Sequence, residues 1–265
     1  MMFFSAFQQG YLWLPLIGFV VGMLATMIGT GGGFFFPLIL ILFFNTPAHI
    51  AVATSLAATL PLCIVGSVEY YRKGNIHLRL ALVFGVAGIF GALAGAGVTR
   101  LLNASQLKIA FGIYSILLAL LIFINNRKDK KNAGKQQQKK VRNSQGQSFQ
   151  GSLYGLAGGI ISGTFGTSGA APVLAGLMAL QTPIRLVAGT SLFVVLINTG
   201  SALAGHVLIG EIDLTLVLFL TAGTILGALA GPRLLTGVKL EKKESPIRQV
   251  FALAMLVFGI ILILT

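Results

Sequence analysis

The chain is 265 residues long, 55% apolar and only 9% charged, with a formal net charge of +13 and a mean hydropathy of +0.90. Soluble domains carry roughly a quarter of their residues as charged side chains, so this composition excludes a soluble globular fold and reads as an integral membrane protein. The one cysteine, Cys63, lies inside an apolar run, which excludes a disulfide framework or a cysteine metal site within the chain.

Runs such as 76–98 and 212–235 are long enough to cross hydrocarbon, which takes about 20 helical residues. They are read as helices, because a lipid-facing backbone must satisfy its polar groups within its own segment and the runs are too uniformly apolar for barrel strands. In chain order the first half reads as segments 11–28, 34–45, 48–71, 77–100 and 106–125. No basic stretch precedes the first of them, so it is expected to be retained rather than cleaved. The segment 34–45 follows "IGTGGGFF" and is short; twelve helical residues rise only about 18 Å. It is either a tilted short span or the returning arm of a re-entrant hairpin.

Residues 127–149, "RKDKKNAGKQQQKKVRNSQGQSF", break the apolar pattern with eight basic residues and read as a solvated, disordered linker. Beside membrane spans such a run is a topology signal and a contact for anionic lipid rather than for nucleic acid. The second half then reads as 150–166, a short 170–181, 184–208, 212–235 and 247–264. The expected organisation is an N-terminal transmembrane repeat (1–126), the linker (127–149) and a C-terminal repeat (150–265).

The halves match. A shift of 136 residues places "GALAGA" (91–96) on "GALAGP" (227–232), "ATS" (53–55) on "GTS" (189–191) and Pro47 on Pro183, and a small adjustment aligns Gly29-Thr30 with Gly166-Thr167. Each half crosses an odd number of times whether its short segment spans or returns, so equivalent loops fall on opposite sides of the membrane. The charges agree: "RKGNIHLR" (72–79) is basic and its counterpart "GEID" (210–213) is acidic. With the linker in the cytoplasm, only Arg100 and Lys108 of the 19 Lys and Arg residues fall outside. The expected fold is an all-α membrane protein of two inverted repeats of about five segments, both termini external.

Inverted repeats are a plan of secondary transporters, with the substrate held at midplane where broken helices meet. Gly29, Thr30, Gly31, Gly32 and Gly33 form one candidate break, Gly166, Thr167, Ser168 and Gly169 the other, each leading into a short helix near Pro37 and Pro172. Free N–H groups at such helix starts bind anions without a fixed cation. Thr54, Ser55, Thr190 and Ser191, about two turns into the third helix of each half, add hydroxyl donors. Close helix packing explains the Gly91/Gly95 and Gly227/Gly231 pairs without any further function.

Ionisable groups in the spans are few. Glu69 and His206 are candidates for a coupling proton, against interfacial snorkelling or an ordinary hydrogen bond. Asn198, mid-helix, is a functional polar group or an interhelical hydrogen bond. "GTGGGF" completes neither a dinucleotide-binding nor a P-loop pattern, and no catalytic constellation is present, so neither a cofactor nor an enzyme activity is expected.

"GTGGGFFFPLILIL" with "ATSLAATLP", "GTSGAAPVLAGLMAL" with "GTSLFVVLINTGSALAGH", and the basic central linker together resemble the TauE/SafE family of sulfite exporters, the TSUP anion transporters. The resemblance implies proton-coupled secondary transport of a small anion such as sulfite, a sulfonate, thiosulfate or an organic acid; the expected mechanism is alternating access by rocking of the halves, and the expected location the cell inner membrane. It carries the substrate role to the break residues, Pro37, Pro172 and the four hydroxyl positions. The second copy departs in having Ser168 for a glycine and a shorter approach to its proline. An anion channel, and a membrane scaffold or receptor without transport, are the alternative readings.

Overall fold

The computed structural model describes residues 2–132, 144–235 and 244–264. Ten α-helices lie among them: α1 (Leu14–Ile28), α2 (Phe35–Phe44), α3 (Ala48–Arg72), α4 (Leu78–Leu101), α5 (Ala104–Asn132), α6 (Ser144–Phe165), α7 (Ala170–Ala179), α8 (Ile184–Ile209), α9 (Leu214–Leu235) and α10 (Glu244–Leu264). Six helical stretches are long and apolar enough to cross a membrane: 9–28, 48–72, 78–101, 104–124, 185–208 and 214–231. The protein is therefore an all-α integral membrane protein. Its outer surface is apolar, with Leu82, Val86, Phe90 and Leu93 of α4 and Ile113, Leu117, Leu120 and Ile124 of α5 facing outward, as lipid requires.

Local signals set the boundaries. Gly29 ends α1 in the left-handed region (φ 80°) and donates its N–H to the Ala25 carbonyl at 2.9 Å. Asn45 (φ 49°) closes α2 in the same way, and the Thr46 N–H reaches the Leu40 carbonyl at 3.1 Å. Asn103 and Gln106 form a reciprocal box at the start of α5, each side chain accepting from the other's backbone N–H (2.8 and 3.0 Å).

The linker expectation is corrected at its edges. Residues 127–132 continue α5 and 144–149 begin α6, while 133–143 lie outside the described residues. A helix already nucleated in the membrane extends through Lys, Arg, Gln and Asn more easily than such residues start one. Polar composition alone therefore misplaced the helix ends.

The two halves interlock. The most extensive helix pairs are α4 with α6 and α1 with α9, followed by α5 with α10, α4 with α8, α3 with α9 and α3 with α8. The first helix of each half thus packs on the fourth helix of the other, the arrangement that exchanging the halves reproduces. Small residues permit these contacts: a Cβ at Gly91 would lie 2.3 Å from the Leu156 carbonyl oxygen, and one at Gly227 2.2 Å from that of Phe19. The duplicated "GALAG" stretches are helix-packing surfaces.

The far end of each short helix comes back beside the start of the helix before it. Phe44, the last residue of α2, stacks near Tyr11 at the entrance to α1, with ring centroids 5.3 Å apart. In the second half Gly176 of α7 lies against Tyr154 near the start of α6; a Cβ there would be 2.6 Å from the Tyr154 ring. Of the two alternatives for the short segments, these contacts favour the hairpin. A small parallel pairing of β1 (Met2–Phe3) with β2 (Ile212–Asp213) fastens the N-terminal segment to the acidic loop before α9.

Candidate functional site

Both breaks are left-handed backbone. Gly29, Gly31 and Gly32 have φ of 80°, 68° and 68°, and Gly166 and Gly169 have 66° and 59°. This is a region that residues with a Cβ seldom enter. Pro37 and Pro172 are the third residues of α2 and α7, inside the first turn where no intrahelical N–H bond is lost.

The structure brings the two breaks into contact. The Ser168 hydroxyl donates to the Thr30 carbonyl. A Cβ at Gly33 would sit 2.8 Å from the Ser168 amide nitrogen, and one at Gly31 3.3 Å from the Ser168 Cβ. Gly31, Gly32, Gly33, Thr167, Ser168 and Gly169 are all buried. Their amide N–H groups find no backbone or side-chain acceptor among the described residues. Buried N–H groups without partners are uncommon, and clusters of them on left-handed turns form anion-binding concavities.

Hydroxyls from the third helices brace the crossing. Ser55 of α3 donates between the Val52 carbonyl (2.8 Å) and the Gly166 carbonyl of the opposite half (2.9 Å), and Ser191 of α8 donates to the Gly29 carbonyl at 2.8 Å. Thr54 accepts the Asp213 N–H at 3.1 Å, and Thr190 accepts the His77 N–H at 2.9 Å. All four are buried and hold backbone of the other half. Ser55 and Ser191 thereby spend their protons on carbonyls of the other half, whereas Thr54 and Thr190 act as acceptors and keep their own O–H donors.

Free hydroxyls do exist nearby. Thr59 and Thr167 are buried and their Oγ1 atoms have no hydrogen-bond partner. Thr59 Oγ1 would lie 3.2 Å from a Cβ at Gly33, at the crossing itself. Sequence reading named Thr167 and missed Thr59; the available signal was its i,i+4 spacing from Ser55 on the same face of α3. Asn198 is wholly buried with both side-chain polar atoms unpartnered. Its Oδ1 would lie 2.0 Å from a Cβ at Gly88, and its Nδ2 3.3 Å from one at Gly158, which itself abuts the Gly169 carbonyl.

The ionisable candidates sit elsewhere in this network. Glu69 pairs with Lys73 at 3.3 Å in the last turn of α3. His206 Nε2 lies 2.7 Å from the Gly163 carbonyl, so that nitrogen carries the proton and donates. Tyr70, at the matching place in α3, donates to the Thr26 carbonyl at 2.9 Å. Each third helix thus ties down the carbonyl three residues before its own half's first break glycine.

A family model described as Sulfite exporter TauE/SafE matches residues 12–262. A Bacillus subtilis protein named probable membrane transporter protein YdhB is 31% identical over 220 residues, covering 82% of this chain and 87% of that protein. A Methanocaldococcus jannaschii probable membrane transporter protein, MJ0441, is 24% identical over 248 residues, 88% of this chain and 87% of its own length. A Xylella fastidiosa probable membrane transporter protein is 28% identical over 253 residues, covering 94% of this chain and 91% of that one. No solved structure matches the chain significantly. With its duplicated breaks, hairpins and apolar spans, the chain belongs to the sulfite exporter TauE/SafE family and is a multi-pass membrane transporter.

Proposed function

We propose that the protein is a secondary transporter of a small oxyanion, with sulfite, as in the family's name, the first substrate to test and a sulfonate, thiosulfate or short organic acid the next. The observation that carries this reading is the contact of two left-handed breaks whose buried N–H groups, with the Thr59 and Thr167 hydroxyls, have no protein acceptor. A donor-rich and uncharged cluster of this kind replaces an anion's hydration shell without holding it as tightly as a paired cation would. Binding there is the selective step, and turnover follows when the anion's exit exposes the same donors to the other side.

The repeats are inverted in this reading, since each half contributes one returning hairpin and three further helices. The linker is cytoplasmic, and the termini and the acidic 210–213 loop are external, in the cell inner membrane. Pairing of Met2–Phe3 with Ile212–Asp213 supports a common side for the N-terminus and that loop. Packing of α1 on α9 and of α4 on α6 supports moving bodies that are composites of the two sequence halves, with the breaks at their contact. A proton gradient is the proposed drive for export.

The experiment is counterflow in proteoliposomes preloaded in turn with sulfite, thiosulfate, a short alkyl sulfonate, acetate and chloride, with and without an imposed pH gradient. Saturable exchange of one oxyanion, faster with the gradient, is the expected result, and Gly31→Leu and Gly169→Leu remove it. Ionic current without saturable exchange identifies an anion channel instead. No exchange, no current and no thermal shift with any solute identifies a non-transporting scaffold or receptor.

A further inference from the structure

Four aromatic rings meet beside the paired breaks, and they come from three elements. Phe34 immediately precedes α2, Phe165 is the last residue of α6, and Phe111 and Tyr114 lie three residues apart on α5. Ring centroids are 5.8 Å apart for Phe34 and Phe111, 5.6 Å for Phe111 and Phe165, and 5.1 Å for Tyr114 and Phe165, the last pair tilted by only 14°. Phe34 also approaches Tyr114 at 6.5 Å. Each break therefore carries one ring directly at its end, and α5 supplies two that bridge them.

The neighbourhood of this cluster is polar on one side. The Tyr114 hydroxyl faces the Thr167 hydroxyl in the second break, yet Thr167 Oγ1 stays without a partner at hydrogen-bonding geometry. Two side-chain hydroxyls thus meet at the second break, whose backbone amides at 167–169 are themselves unpaired among the described residues. α5 packs chiefly on α10, with a minor contact to α3, so these rings are its main hold on the break region. The cluster is also one-sided. In the other half the positions matching Phe165 and Phe34 hold Ile28 and the small residues 169–171.

We infer that Tyr114 is a substrate-contacting gate residue: its phenol joins Thr167 in donating to the bound anion, while its ring, stacked on Phe165, shuts the α5 flank of the crossing. The inference rests on the oxyanion reading of the breaks. A phenol suits this place because it is a strong donor without fixed charge, and its flat body seals against Phe165 while its polar end stays in the site. Loss of the anion leaves the hydroxyl with only the loose approach to Thr167. Emptying and opening of this flank are then one event.

The test uses the full chain in proteoliposomes, with parent, Tyr114→Phe, Tyr114→Ala and Gly169→Leu side by side. The readouts are KM and maximal rate of sulfite, thiosulfate, alkyl sulfonate and acetate counterflow, passive leak of the preloaded anion, and thermal unfolding. Tyr114→Phe keeps the ring and removes the donor, so KM rises about three- to tenfold, the loss of one hydrogen bond, while leak and unfolding temperature stay at parental values. Tyr114→Ala also raises passive leak several-fold. A purely structural tyrosine would lower the unfolding temperature without this split between KM and leak. Parental KM in Tyr114→Phe, with transport lost in Gly169→Leu, overturns the gate and leaves the anion site standing; no counterflow by the parent with any of the four anions overturns both.

Discussion

Ser55 and Ser191 make the same bond in opposite directions. Ser55 of the first half donates to the Gly166 carbonyl at the second break, and Ser191 of the second half donates to the Gly29 carbonyl at the first. Each half thereby caps the terminal helix carbonyl at the other's break, where no intrahelical donor is available. Ser55→Ala and Ser191→Ala each leave a buried carbonyl short of a donor, at about 1–3 kcal/mol. Similar drops in thermal stability for the two variants are expected, and a drop in one alone would show that the reciprocity is not energetically balanced.

The two break glycines differ in what a methyl group would strike. At Gly31 it would meet a Val195 methyl at 2.6 Å, and at Gly169 the Gly158 carbonyl oxygen at 1.9 Å. A side chain yields more readily than backbone, so Gly169→Ala is the more damaging change. Combining Gly31→Ala with Val195→Ala is expected to restore part of the lost stability, while no small replacement rescues Gly169→Ala. Unfolding midpoints in detergent decide it, and equal rescue at both sites would contradict the contact geometry.

Thr59→Val and Thr167→Val are isosteric and delete hydroxyls that bond nothing among the described residues. Removing an unsatisfied buried hydroxyl is neutral or stabilising, so both variants should fold at least as well as the parent. Anion affinity should fall about three- to tenfold per hydroxyl, in keeping with one hydrogen bond. Isothermal titration or ligand-induced thermal shift measures it; unchanged affinity in both variants would remove these hydroxyls from the site.

His206 and Tyr70 occupy matching positions and each ties down a carbonyl before a break. His206→Gln retains a side-chain N–H donor but cannot carry a proton across. Its counterflow should still respond to an imposed pH gradient, because the side chain's bond to Gly163 is a fastening. Loss of the gradient response with stability unchanged would instead assign it to proton coupling.

Much of the architecture was legible because apolar length and glycine punctuation are local properties. Segment boundaries within the membrane agree with the structure to a few residues, as at 48–71 against Ala48–Arg72 and 170–181 against Ala170–Ala179. The role of Thr54, Ser55, Thr190 and Ser191 was not legible, since whether a hydroxyl donates to a carbonyl or accepts an amide depends on which segment of the other half faces it across the bundle. Thr59 and Tyr114 were missed for the same reason. Thr59 carried only its i,i+4 spacing from Ser55 and Tyr114 no mark at all in its immediate sequence, and the crossing of the breaks gives both their place.

The exchange of first and fourth helices between halves also constrains how the chain is made. While only the first half has emerged from the ribosome, α1 lacks α9 and α4 lacks α6, so the ridges that meet Gly227 and Gly159 have nothing to close on. Insertion of the early helices can proceed one by one, but their final packing must wait for synthesis to finish. The first half is thus held in the bilayer as a loose, unfinished assembly, the stage at which membrane quality control has the longest view of it.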